Sequence, residues 1–214
     1  MSSAAVGGWR ESAPQEQKGE PMSKLQSSLA VVLCAIFLAP SARADIRLSS
    51  VGILSADSVK KFSGMRQHGL LLSYRVNTVS KSFWVPSKLD FTAGRLERGN
   101  DSALFVSFGP TYRFNINMNK SEPGRWFMDI GSHPTYVSKS QFGGKRLGGN
   151  FFFTSYLGLG AYLDRQRKTC LLLRYQHTSN AGLSNSNPGV DMLGLSFSYH
   201  FGADQQLLSA EAAN

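Results

Sequence analysis

Long hydrophobic runs are missing from this chain. The longest, Leu29 to Ala39, is about eleven residues, and a membrane-spanning helix needs roughly twenty. Apolar residues nowhere recur at a 3.6-residue period over a long segment, so a helical bundle is excluded. Cysteine is scarce: Cys34 and Cys170 are the two in 214 residues, too few for a disulfide scaffold. Acidic residues are few as well, 14 against 23 Lys and Arg, for a net charge of +9. Neither an Asp-x-Asp-x-Asp-Gly loop nor a His-Glu-x-x-His helix is present, which removes two common routes to a calcium or zinc site.

The amino end reads as a delivery signal. Met1 to Pro21 is polar and without period. Met22 then opens a segment with Lys24 as its positive start, the apolar run Leu29–Ala39, and an Ala42-Arg43-Ala44 cleavage site. Residues 1–44 are therefore expected to be an upstream segment and secretory signal, cut after Ala44. Cys34 leaves with it. Its neighbours Val31-Val32-Leu33 lack the small residue that precedes a lipoprotein cysteine. The mature chain keeps Cys170 alone, so no internal disulfide forms. It also keeps 19 of the basic and 11 of the acidic residues, a net charge near +8. That charge suits an anionic partner such as phosphorylated lipid, and a secretion signal sets nucleic acid aside.

What is present is short-range alternation. Eight runs with period 2 lie at about 46–55, 66–76, 87–97, 103–116, 125–137, 149–163, 168–178 and 190–201, separated by turn formers such as Gly99-Asn100-Asp101 and Phe142-Gly143-Gly144. Several exceed the five or six residues of a soluble sandwich strand and reach the nine to eleven of a membrane barrel. In 103–116, Leu104, Val106, Phe108, Tyr112 and Phe114 alternate with Ala103, Ser107, Gly109, Thr111 and Arg113. Apolar-out, small or polar-in strands, even in number and following a signal, predict an all-β, eight-stranded antiparallel outer-membrane β-barrel over 45–201, with a tail at 202–214.

The most informative stretch is Lys168 to Phe201. Leu171, Leu173, Tyr175, His177 and Ser179 share one strand face; Asp191, Leu193, Leu195, Phe197, Tyr199 and Phe201 share a face of the next. Each apolar stripe thus ends in polar residues at the connecting loop. A hydroxyl, an imidazole and a carboxylate on paired strands are the parts of a nucleophile, base and orienter. Both ends of an even-stranded barrel lie inside the cell envelope, which puts this cluster near the external rim, facing lipid. The bland reading is three unrelated polar residues at headgroup depth.

His177-Thr178-Ser179-Asn180-Ala181-Gly182, followed by Asn187-Pro188-Gly189-Val190-Asp191, resembles the terminal motif of the outer-membrane lipid A 3-O-deacylases, the PagL family. The likeness is specific from about Tyr175 to Phe201 and general elsewhere, as at Trp126-Phe127-Met128-Asp129-Ile130-Gly131. It implies an esterase that hydrolyses the ester-linked acyl chain at the 3-position of lipid A. Ser179 matches the nucleophile and His177 the general base. Asn180 and the Gly182 amide match the oxyanion donors, and Asp191 stands where the family's acid, usually Glu, lies. No cofactor or metal is implied. The expected partners are lipid A and outer-membrane lipids, and a homodimer stays open. Basic loop residues Lys60, Lys61, Lys139, Lys145 and Arg146 are expected to meet lipid A phosphates. The competing functions are a non-catalytic structural barrel and another lipid hydrolase or acyltransferase on the same scaffold.

Overall fold

A computed structural model describes residues 45–59, 64–77, 85–116, 124–184 and 186–201. The signal segment, the tail after Phe201, and Lys60 and Lys61 lie outside them. The eight strands are β1 (Asp45–Ser58), β2 (Met65–Asn77), β3 (Lys88–Arg98), β4 (Asp101–Ile116), β5 (Trp126–Val137), β6 (Phe151–Tyr162), β7 (Thr169–Ser179) and β8 (Val190–His200). Each pairs antiparallel with its sequence neighbours, and β1 closes on β8 from Ser50–His200 to Ser58–Met192. Closure leaves no sheet edge, the condition for a sheet to sit in lipid.

Alternation sets inside from outside, as the sequence predicts. Leu104, Val106, Leu157, Leu171, Leu173, Leu193, Leu195 and Phe197 face out and are exposed, while Ala103, Phe105, Ser107, Leu172, Ser196 and Ser198 are buried. Trp126, Tyr199 and Phe201 ring the end holding the termini, and Tyr136 and Phe151 stand near the other, an aromatic girdle at each interface.

The interior is layered and filled. At the end opposite the termini, Ala56, Met65, Phe105, Val137, Phe152 and Met192 form an apolar cluster closed by Phe142 and Leu147. Those two closing residues come from the 138–150 loop, where Gln141–Phe142 pairs with Lys145–Arg146 around Gly143 and Gly144, both at positive φ. That small hairpin falls where the sequence shows only a turn, because two residues per arm are too few to give a period. Below lies a polar layer. Asp129 takes a two-pronged bond from Arg113, 2.8 Å on each side, and Lys88 sits 3.1 Å from Asp90 and 3.2 Å from Asp129. Thr111 Oγ1 lies 2.8 Å from Asp90 Oδ2, 2.8 Å from the Tyr156 hydroxyl and 3.2 Å from His133 Nε2. Side chains pack this lumen, as expected of an eight-stranded barrel.

The β4–β5 seam departs from regularity. The β4–β5 ladder pairs Phe105–Ser107 with Thr135–Val137 and Thr111–Ile116 with Trp126–Gly131, and skips the residues between. Pro110 and Pro134 fall in that gap. Neither can donate to a ladder.

Candidate active site

The β7–β8 pairing carries the site. Register sets Asp191 opposite His177, and His177 is in turn opposite Ser155 on β6. His177 Nδ1 and Asp191 Oδ1 are 2.8 Å apart, with the imidazole half exposed and the carboxylate a quarter exposed. The Tyr175 hydroxyl also bonds Asp191, so the carboxylate is held from two sides. With Nδ1 engaged, the ring offers Nε2 to a reacting group.

Ser179 ends β7 two residues beyond His177, on the same face and opposite Phe153. No hydrogen bond joins it to His177 among the described contacts. A nucleophile and base on i and i+2 of one strand start about 6.6 Å apart at the backbone. Side-chain rotation would have to close that gap, a movement that often completes only with substrate bound.

The loop between β7 and β8 fixes the rest. Asn180 is fully buried. Its Nδ2 donates to Ser186 O at 2.8 Å and, weakly, to Gly148 O at 3.4 Å, while its Oδ1 accepts the Gly182 N–H at 3.1 Å. Its own N–H donates to Asn187 Oδ1 at 3.1 Å. Both expected oxyanion donors are thus spent inside the loop in this conformation. Asn180 ties the 180–189 loop to the 138–150 loop through Gly148. There φ is +80° and an added Cβ would lie 1.7 Å from Ser186 O, so only glycine fits.

Two residues were missed at the sequence level. Tyr175 stands on the expected face, but no spacing rule marks its hydroxyl as a partner of Asp191. Gly189 reads there as a turn residue. In the structure its φ is +58°, and a Cβ on it would come 3.1 Å from His177 Cε1 and 3.7 Å from Nε2. Bare backbone therefore packs against the working side of the imidazole.

A groove leads away from His177 across the barrel's outer surface. It is lined by Tyr175, Ser155, Leu157, Ile130, Gly131 and Pro110, among others. Its floor is low because the residues there are small, Gly131, Ser132 and Ser155, and because it crosses the proline seam. The Ser132 and Ser155 hydroxyls bond each other at 3.1 Å, which quiets two polar groups in a lipid-facing trough.

The basic loop residues and the remaining histidines are scattered. Lys139 is paired with Asp101. Arg146 is exposed, and its carbonyl accepts the Ser186 hydroxyl at 3.2 Å. His133 is buried in the lumen, and His200 contacts Cys170 at the far end. His68 Nδ1 lies 3.1 Å from Ser55 Oγ across the β1–β2 ladder.

A closed eight-stranded barrel with a filled lumen, apolar outside, with a serine and a His–Asp pair on its outer face, defines a β-barrel of the outer-membrane type. A family model described as lipid A 3-O-deacylase (PagL) matches residues 68–200, and the chain belongs to that family. It is 38% identical over 77 residues to the lipid A deacylase PagL of Bordetella bronchiseptica, an alignment covering 36% of this chain and 42% of that protein. The chain thus matches less than half the length of that relative. A crystal structure of the outer membrane enzyme PagL superposes with a TM-score of 0.55 at 21% identity, over 70% of this chain and 98% of that one. The two share the barrel fold.

Proposed function

We propose that this protein is an outer-membrane esterase that removes the ester-linked acyl chain from the 3-position of lipid A. Ser179 attacks the acyl carbonyl, and His177 Nε2 takes the hydroxyl proton. Asp191 holds the ring through Nδ1 and stabilises the imidazolium. The proton passes to the departing sugar oxygen. Water, deprotonated by the same imidazole, then releases the fatty acid from Ser179. Asn180 and the Gly182 amide would serve the oxyanion by exchanging loop bonds for the substrate, and the 3.4 Å bond to Gly148 O is the easiest to give up. With both chain ends inside, the site opens toward lipid at the external rim, and the groove past Tyr175 and Ser155 receives the acyl chain. Basic loop side chains would meet the phosphates.

The observation that carries this reading is the 2.8 Å His177–Asp191 bond on the outer face, two residues from Ser179. A polar pair there, facing hydrocarbon, costs several kcal/mol unless it is used or lies at the interface. The test is mass spectrometry of lipid A from cells expressing the wild type, Ser179→Ala or His177→Ala at equal levels of folded barrel. Wild-type cells should lose one ester-linked acyl chain, and both variants should leave lipid A intact. Unchanged lipid A in wild-type cells would support a structural barrel, and loss of a different acyl group another lipid enzyme.

A further inference from the structure

Behind the candidate site, threonine hydroxyls cross the inner wall from β7 to β5. Thr135 Oγ1 donates to His133 O at 3.1 Å. A hydroxyl has one proton, so Thr154, 2.8 Å away, must donate to Thr135, and Thr178, 2.9 Å from Thr154, must donate to Thr154. The relay therefore ends at Thr178 Oγ1, which has lone pairs and no proton left to give. Thr178 stands between His177 and Ser179, on the opposite face of the strand.

Thr178 also lines a cavity, which Ser179, Pro188 and Gly189 bound at the loop end. Gly189 is the residue whose bare backbone packs against His177 Cε1 and Nε2. The volume is ≈ 40 Å³, and one water needs about 10–15 Å³, so the space holds about three waters. Leu54, Phe105 and Met192 make part of the wall apolar, and a wholly apolar pocket would stay dry. This one is not wholly apolar. Thr178 offers an acceptor, and Arg174, four residues deeper on the same strand face, lines the cavity with an Nε that is buried and unbonded. Asp90 and Asp129 act on that guanidinium through space, so its charge is balanced and its Nε lacks only an acceptor. Gln67, Thr92 and Ser107 add polar lining, enough for the two to four partners a buried water takes.

We propose that this cavity supplies the water that hydrolyses the acyl–Ser179 ester, and that Thr178 is the positioning residue that anchors it. The inference rests on the esterase reading. With the acyl chain in the groove past Tyr175 and Ser155, the lipid side of the ester is covered, and the cavity meets it from the barrel side. Thr178 Oγ1 accepts a proton from the row of waters, and the outermost water turns a proton to His177 Nε2. Its oxygen bonds the acyl carbon as the imidazole takes that proton. The bond from the acyl carbon to Ser179 Oγ then breaks, the imidazolium returns the proton to the serine oxygen, and the fatty acid leaves.

Quenched-flow mass spectrometry of the full chain with lipid A in mixed micelles tests this, following deacylated lipid A and acyl–Ser179 protein together. Thr178→Val keeps the shape and removes the acceptor. Its first turnover should release deacylated lipid A at the wild-type rate. Its steady-state acyl–Ser179 should then rise about tenfold over wild type, the weight of one hydrogen bond at the strong end of its range. Thr178→Ser should restore the wild-type balance of the two steps. Thr154→Val, which frees the Thr178 hydroxyl to turn, should also raise acyl–Ser179 and covers the case in which Thr178→Val fails to fold. In nanodiscs, the Thr178 methyl of the wild type should show NOEs to long-lived water. Absence of those NOEs would overturn the proposal, and so would equal slowing of both steps in Thr178→Val. Acyl–Ser179 at the wild-type level in either folded valine variant would sink this proposal alone, whereas a wild type that leaves lipid A intact would sink the esterase reading and this proposal with it.

Discussion

Asp191→Asn is the substitution that most directly probes the candidate site. The carboxylate receives a 2.8 Å bond from His177 Nδ1. An amide at this position can offer its own N–H to Nδ1, which favours the tautomer protonated on Nε2. That tautomer cannot accept the serine proton. The lost interaction is a hydrogen bond to a charged group, typically about 1.5–3 kcal/mol. In a fully buried triad the same exchange costs about 10⁴ in rate. Here the imidazole is 49% exposed and the carboxylate 25%, so water takes up part of the role. We expect about 2–3 kcal/mol, or roughly 30- to 150-fold in kcat at 1.36 kcal/mol per decade. KM should move little, because the imidazolium exists only along the reaction path. Asp191→Glu should keep substantial activity, since the chain here can absorb one methylene. The assay is the initial rate of acyl release from purified lipid A in mixed micelles, with folded barrel quantified by its heat-modifiable gel migration. Wild-type turnover in the Asn variant would remove Asp191 from the mechanism and leave a His177–Ser179 dyad.

Two further outcomes follow from particular contacts. Gly189→Ala puts a methyl 3.1 Å from His177 Cε1 at a φ of +58°, so it should strain the turn by about 1–2 kcal/mol and displace the imidazole, lowering kcat about tenfold with KM nearly unchanged; an unaltered kcat would show that the ring is not seated by the backbone there. Asp129→Asn leaves Arg113 and Lys88 without their shared carboxylate, a loss of about 3–5 kcal/mol by urea unfolding in vesicles. Activity per folded molecule should survive, since the network lies in the lumen, and a stability change under 1 kcal/mol would mean that the lumen is wetter than its packing suggests.

Much of the barrel was legible because a strand writes its two faces into alternate residues. Leu171, Leu173 and Leu193 had to face the same medium, and polar Ser196 and Ser198 the other, whatever the rest of the chain did. All eight barrel strands lie within a few residues of their expected bounds. The interior order was not legible. Nothing in the spacing of Asp90, Arg113 and Asp129 says that three inward residues on different strands converge, because that depends on the stagger of the barrel, which no single strand encodes. The proline seam is of the same kind: it depends on which residues of β4 and β5 lie opposite each other, not on what lies next in sequence.

The candidate site divides along the same line. Its in-strand parts, His177 and Ser179 on one face and Asp191 across the ladder, follow from period and from the motif. Its loop parts do not. Asn180 matches a donor by position, yet its amide bonds Ser186 and Gly148 and its carbonyl holds Gly182. The side chain that a motif marks for chemistry is the one that builds the loop, because a loop lacking regular ladder bonds must find acceptors for its own amides. The two roles are compatible only if the loop rearranges when lipid binds, and the long bond to Gly148 is where that motion would begin. Rigid strands hold the His177–Asp191 pair, while the loop carries the groups proposed to meet the oxyanion. Strand substitutions should therefore act on rate through geometry, and loop substitutions should act on rate and fold together.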